Sequence, residues 1–233
     1  MTTFYVVATP IGNLEDMTLR AKHVLGEVNC VLCEDTRETR KLLQKYEITT
    51  PTLSFHSQSA EGKFDTIFAM IEEGKSLALV TDAGTPGISD PGTELVSRVR
   101  ERFPELSIVA VPGASAVTAA LSISGLPSSD FLFLGFLPHK KGRETLFKEI
   151  AASERTTVCY ESPHRALKAL TSLAAALEPT RRVVVARELT KMFEEVVADT
   201  PHNVLDFFTA HPDKIRGEFV IMVSGKAFHS KPK

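Results

Sequence analysis

Cysteine is scarce, with 3 in 233 residues. That fits a reducing compartment rather than a disulfide framework. Cys30 and Cys33 have C-x-x-C spacing, but a zinc site needs a second pair and a redox motif needs a helix that starts there. Neither is evident, and both thiols fall in the apolar run 28–33, so they read as buried strand residues. No His/Cys/Asp group has a ligand spacing, and no metal is expected. Apolar runs long enough to span a bilayer are missing, which excludes a transmembrane helix. The chain enters a strand pattern at Phe4-Tyr5-Val6-Val7. No basic stretch, apolar helix and cleavage site precede it, so no signal peptide and a cytoplasmic location are expected. An excess of one charge is lacking as well: 27 Lys+Arg against 29 Asp+Glu leave a net −2. This argues against coating nucleic acid by bulk charge, though not against a local basic surface. Neither G-x-G-x-x-G nor G-x-x-x-x-G-K-[ST] occurs where a nucleotide loop would stand, which weakens the NAD and ATP readings.

What is present is 43% hydrophobic and 24% charged residues, the balance of a globular α/β protein with one large or two compact domains. Strand and helix signals alternate. Strands are expected at 4–9, 29–34, 52–55, 76–81 and 107–111. The intervening helices fall at 18–28, around 64–71, 93–103 and 36–46, the last capped by Asp35 with Glu38 completing a capping box. A further helix of small residues spans 114–124. Five strands separated by helices predict a mainly parallel sheet. The turn-forming run 124–130 then suggests a linker. Beyond it come strands at 131–136, 156–160, 182–187, 194–199 and 218–224, with helices at 143–152, 164–177 and 203–209. Strands a few residues apart pair antiparallel, so this sheet should be mixed. The expected organisation is an N-terminal domain 1–123, linker 124–130, C-terminal domain 131–225 and a polar, frayed tail 226–233.

Ligands of open α/β sheets collect at strand carboxyl ends, and four loops there stand out. Ala8-Thr9-Pro10-Ile11-Gly12-Asn13 follows the first strand. Thr81-Asp82-Ala83-Gly84-Thr85-Pro86-Gly87-Ile88-Ser89-Asp90-Pro91-Gly92 holds three glycines, two prolines and two aspartates, more than a plain turn needs. Glycines admit close main-chain approach and prolines hold shape. The carboxylates of Asp82 and Asp90 could favour a cation such as a sulfonium, and free N–H groups could take a carboxylate; equally, the aspartates could only cap turns. Val111-Pro112-Gly113-Ala114-Ser115-Ala116 opens a small-residue helix. Tyr160-Glu161-Ser162-Pro163-His164-Arg165 has an N-cap in Ser162 and a first helical residue in Pro163. Local structure explains neither Tyr160 and Glu161 nor His164 and Arg165. The clusters Arg187-Glu188-Leu189-Thr190-Lys191 and Glu34-Asp35-Thr36-Arg37 could be sites or solvated ion pairs.

Taken together, ATPIGNLEDMTLRA, CEDTR, TDAGTPGISDPG, VPGASA, YESPHR, RELTK and GEFV, in this order, resemble the ribosomal RNA small subunit methyltransferase I family, a class III, tetrapyrrole-methylase-like group. The resemblance runs from Phe4 to about Ser224. It implies two α/β domains with S-adenosylmethionine in the cleft between them, a homodimer, and 2′-O-methylation of a cytidine in the decoding region of 16S ribosomal RNA. It places Pro10, Ala83, Gly84, Thr85, Pro86, Ile88, Ser89, Asp90, Ser115 and Ala116 at the cofactor, with Phe136, Tyr160 and Glu161 on the second-domain wall. Many members of that family continue past the final strand, where this sequence stops at Lys233. A ribose hydroxyl is a poor nucleophile until deprotonated, so a general base is expected. The candidates are Lys191 with a lowered pKa, Glu188, Glu161 and Asp35, in that order. RNA contacts are expected from Arg37, Arg40 and Lys41 and from Lys140, Lys141 and Arg143. A corrin-type small-molecule methyltransferase and a non-catalytic binding module are the alternative readings.

Overall fold

The computed structural model describes residues 2–55 and 61–228. It divides into two compact units, Met1–Ser115 and Ala116–Lys233. The first contains β1 (Thr3–Val7), α1 (Leu19–Glu27), β2 (Cys30–Cys33), α2 (Thr36–Lys45), β3 (Thr52–Ser54), α3 (Glu61–Glu72), β4 (Leu77–Leu79), α4 (Gly92–Arg102) and β5 (Ser107–Val111). The sheet order is β3-β2-β4-β1-β5, and every pairing is parallel. Both faces are covered, as an all-parallel sheet requires. Val7, Val31, Cys33 and Ala78 join Ala21 and Leu25 of α1 and Leu43 of α2 in one core. Phe4, Cys30, Leu32 and Leu77 join Ile67 of α3 and Leu95 of α4 in the other. Cys30 and Cys33 therefore lie in different cores, as an odd spacing along a strand dictates. Burial raises both thiol pKa values.

The second unit contains α5 (Ala116–Ser124), β6 (Phe131–Phe136), α6 (Arg143–Ala152), β7 (Thr156–Glu161), α7 (Pro163–Ala176), β8 (Val183–Arg187), β9 (Glu195–Asp199), α8 (Pro201–Ala210) and β10 (Phe219–Val223). Its order is β6-β7-β10-β8-β9, with β6 and β7 parallel and the other pairs antiparallel, giving the expected mixed sheet. The boundary differs from the 124–130 linker. Helix α5 packs on β10 and β8 and belongs to the second unit. The run 124–130 is fastened inside that unit: Ser124 Oγ accepts from the Leu126 N–H at 3.0 Å, and Thr156 Oγ1 donates to the Pro127 carbonyl at 2.6 Å. Turn-forming residues here make an internal corner. Lys226, expected in a frayed tail, is tied down, because its N–H donates to the Ser153 carbonyl at 2.9 Å; 229–233 lie outside the described residues.

Candidate functional site

Parallel strands bring the loops after β1, β2, β4 and β5 to one edge of the first sheet. Loop 80–91 is fastened to two of them. Thr9 and Gly84 exchange main-chain hydrogen bonds of 2.9 and 3.1 Å, and Thr9 Oγ1 donates to the Thr81 carbonyl at 3.0 Å. Thr85 Oγ1 donates to the Ala114 carbonyl at 3.1 Å, joining the loop after β5. The far end closes on itself. The Asp90 carboxylate accepts from the Gly87 N–H at 2.8 and 2.9 Å and from the Gly92 N–H at 2.7 Å, while Thr93 Oγ1 donates to the Gly87 carbonyl at 3.0 Å. Gly84 and Gly87 adopt φ of +88° and +85°, a region that a Cβ disfavours. Ser89 shares this conformation at φ +64°.

This geometry corrects one reading. Asp90 is not poised for a cation, because its carboxylate holds its own loop. Pro10 is buried. The rim exposes Ala83, Ile88 and Ser89 of loop 80–91, Pro112 and Gly113 after β5, and Asp82. Gly84 and Pro86 are buried, and Thr85, Ser115 and Ala116 are partly buried. None of these loops contains a lysine or arginine, so the rim is poorly suited to a polyphosphate. Main-chain groups, the Ile88 side chain and one carboxylate suit a flat-ringed ligand with a cationic centre. Thr9 was not singled out from the sequence; its hydroxyl stands between two loops that only the parallel order of β1 and β4 makes adjacent.

Beside the rim, Asp35 caps α2 by accepting from the Arg37 N–H at 2.8 Å, and its own N–H donates to Asp82 at 3.3 Å. The expected capping box is incomplete, because Glu38 pairs with Lys41 at 2.7 Å. The Arg37 guanidinium also grips Asp35, at 2.6 Å, and this hydrogen bonding holds the Asp35 carboxyl at about 2. Such a carboxylate is a weak proton acceptor, which counts against Asp35 as general base. Arg37 and Lys41 are each engaged with a carboxylate, and Arg40 Nε donates to the Thr52 hydroxyl at 3.3 Å, yet all three remain exposed.

In the second unit, Phe133 and Phe136 both stack edge-on against Tyr160, at 5.1 and 5.3 Å. Three residues of regular strand would send them to opposite faces. A register shift between them, with Gly135 at φ +63°, turns Phe136 back toward Tyr160. Burial raises the Tyr160 pKa. Glu161, the next residue, is sealed: its side chain is 0% exposed. It pairs with Arg165 at 2.6 Å and Arg143 at 3.3 Å, and it accepts from the Ser162 N–H at 2.9 Å. Glu161 is thus neither a reachable base nor a surface wall. Arg143 is likewise buried, with a second hydrogen bond to the Pro138 carbonyl at 3.0 Å, so it is not a surface RNA contact. Ser162 occupies the N-cap position of α7, but its hydroxyl accepts from Arg165 Nε at 3.3 Å rather than from the main chain. Lys140 and Lys141 are exposed.

The loop after β8 is tied together by charge. Glu188 and Thr190 take φ of +51° and +65°. Lys191 Nζ bridges Glu188 at 2.9 Å and Glu218 at 3.1 Å. Burial alone would depress the Lys191 pKa, but the two carboxylates outweigh it and raise it. This overturns the expectation of a lowered value. Glu218 was visible in the sequence only as part of GEFV. Gly217, at φ +78°, leaves room for the Glu188 side chain where a Cβ would clash. No helix among the described residues is long and apolar enough to cross a membrane, and they contain no cluster of metal-ligating side chains.

Residues 3–204 match the family model for tetrapyrrole (corrin/porphyrin) methylases. The sequence is 44% identical to the ribosomal RNA small subunit methyltransferase I of a Synechocystis species, over 100% of this chain and 82% of that protein. It is 42% identical to the protein of the same name from Thermotoga maritima, over 95% and 97%. Among solved structures, a cobalt precorrin-4 methyltransferase of cobalamin biosynthesis aligns with a TM-score of 0.68 at 19% identity, covering 95% of this chain and 94% of that one.

Proposed function

The chain belongs to the tetrapyrrole (corrin/porphyrin) methylases and, among them, to the ribosomal RNA small subunit methyltransferase I family, and on that premise we propose that it methylates small-subunit ribosomal RNA using S-adenosylmethionine. The acceptor in this reading is the 2′-oxygen of a cytidine in the decoding region, the enzyme is a homodimer, and it works in the cytoplasm. The observation that carries the proposal is the self-fastened loop 80–91, whose exposed rim lacks cationic side chains and offers main chain, Ile88 and Asp82 at the carboxyl ends of parallel strands.

The cofactor supplies an electrophilic methyl group on a sulfonium. Within the first unit, Gly84 and Gly87 hold the main chain in the shape that receives it, Asp90 and Thr85 keep that shape, and Ala83, Ile88 and Ser89 face the ligand. In-line transfer demands alignment more than new bonding groups, and positioning can supply much of the rate. Glu188 is the proton acceptor in this reading: Glu161 is sealed, Asp35 is locked to Arg37, and Lys191 is held as an ammonium. Lys191 orients Glu188. Arg37, Arg40, Lys41, Lys140 and Lys141 meet RNA phosphates.

A tritium-transfer assay tests this against small subunits, free ribosomal RNA and a tetrapyrrole. Labelled 2′-O-methylcytidine with ribosomal substrate alone is the expected result. Label on the tetrapyrrole, or no transfer at all, rejects the proposal.

A further inference from the structure

We infer that Glu161, Arg143 and Arg165 form a buried positioning device that shapes loop 137–142 into a grip for substrate phosphates. This rests on the RNA reading above. The loop joins β6 to α6, and its outer residues His139, Lys140 and Lys141 are exposed. No carboxylate among the described residues lies within ion-pair range of Lys140 or Lys141. The loop's inner edge is held from beneath by two guanidinium groups. Arg165 donates to the Leu137 carbonyl at 2.9 Å, and Arg143 donates to the Pro138 carbonyl at 3.0 Å. Both are anchored on opposite oxygens of Glu161. One sealed carboxylate therefore sets two consecutive carbonyls of the loop. A last tie, from the Leu137 N–H to the Tyr160 carbonyl at 3.3 Å, joins the loop to the strand that ends in Glu161.

The charges of the device do not balance. Two guanidinium groups share one carboxylate, and Nε and Nη2 of buried Arg143 have no hydrogen-bond partner. The Arg143 guanidinium also lies over the Phe147 ring, 5.2 Å from its centre, but leaving buried donors unsatisfied is unfavourable for stability alone. Beneath a loop that carries two unpaired lysines, the surplus adds to a local positive field in a chain whose net charge is −2. Such a field draws a phosphate backbone toward the loop. Residues 160–165 thereby gain a purpose that N-capping leaves unexplained: the turn that starts α7 supplies the anchor and one of the two pins.

Removing Glu161 would leave two facing cations and endanger the fold, so the test uses Arg165→Lys, which keeps the charge but loses the fork to both Glu161 and Leu137. Its effect is compared with that of the double substitution Lys140→Ala, Lys141→Ala, and with all three changes together, on small subunits. Each change is expected to raise KM about tenfold with kcat and S-adenosylmethionine affinity unchanged, and the lysine pair should flatten the salt dependence of RNA binding by roughly one to two ion equivalents. The triple variant should be little worse than either, because a misplaced loop no longer benefits from its lysines. Multiplying effects, or an unchanged KM in Arg165→Lys, would overturn the inference while wild-type transfer to small subunits leaves the functional reading standing. Absence of wild-type transfer rejects that reading, and the inference with it.

Discussion

Loop 80–91 and the pair of segments 137–142 and 160–165 are both held rigid after strand ends, but by different means. The first is closed by main-chain hydrogen bonds, hydroxyls and one carboxylate that caps N–H groups of its own loop. The second is closed by a buried carboxylate between two guanidinium groups. A closure of the first kind rests on neutral donors and acceptors apart from Asp90, so losing one part strands no charge. In the second kind, the parts depend on one another, because a charge without its partner is stranded in the interior. The difference suits the proposed tasks. A rim that holds a small zwitterion gains from neutral main chain at fixed positions, and a surface for a polyanion gains from surplus positive charge.

Removing one carboxylate from each loop sets the two closures directly against each other. Glu161→Ala should destabilise the second unit by about 3–5 kcal/mol, since it strands Arg143 and Arg165. Asp90→Ala should lose only about 1–3 kcal/mol, the range for leaving polar groups unpaired, and should weaken cofactor binding more than folding. Chemical denaturation of both variants checks the ordering; equal losses would show that the two closures are energetically alike. Next in size is the main-chain effect within the first loop. Gly84→Val and Gly87→Val each place a β-branched residue at strongly positive φ, at roughly 1–2 kcal/mol or more of strain. Calorimetry should find no S-adenosylmethionine binding in either variant while circular dichroism shows a folded protein. Normal binding by both would remove loop 80–91 from the site.

The fold was readable because its signals are local and repeated: strand-to-strand spacing distinguishes crossover from hairpin, and that alone separates the parallel sheet from the mixed one. The boundary at Ser115 was not, since the turn-formers at 124–130 look the same whether they link domains or turn a corner within one. The rim of loop 80–91 was legible from its glycines and prolines, whereas the use of Asp90 was hidden, because a capping aspartate and a ligand-facing aspartate have the same spelling. Arg143 illustrates the wider difficulty. It stands in a basic run, and only the tertiary approach of Glu161, 18 residues later, turns it inward.

Protonation separates the charged residues of the two units in a different way. Asp35 has a depressed pKa, so its contribution is present above the unfolded carboxyl value of about 3.9 and is lost as pH falls toward about 2. Lys191 has a raised pKa, so its contribution is complete below the unfolded value of about 10.4 and is lost only as pH rises through the higher folded value. Neither group changes charge near neutrality. A lysine that stays an ammonium cannot take the ribose proton, and an arginine in its place can still bridge Glu188 and Glu218. Lys191→Arg should therefore keep its single-turnover rate within about tenfold, with an unshifted pH profile, whereas Glu188→Gln should lose about 10²–10⁴-fold, the usual worth of a general base. A collapse of Lys191→Arg to the level of Glu188→Gln, together with a lost basic limb, would return the proton to Lys191 and make the ion pairs of this loop part of the chemistry instead of its scaffold.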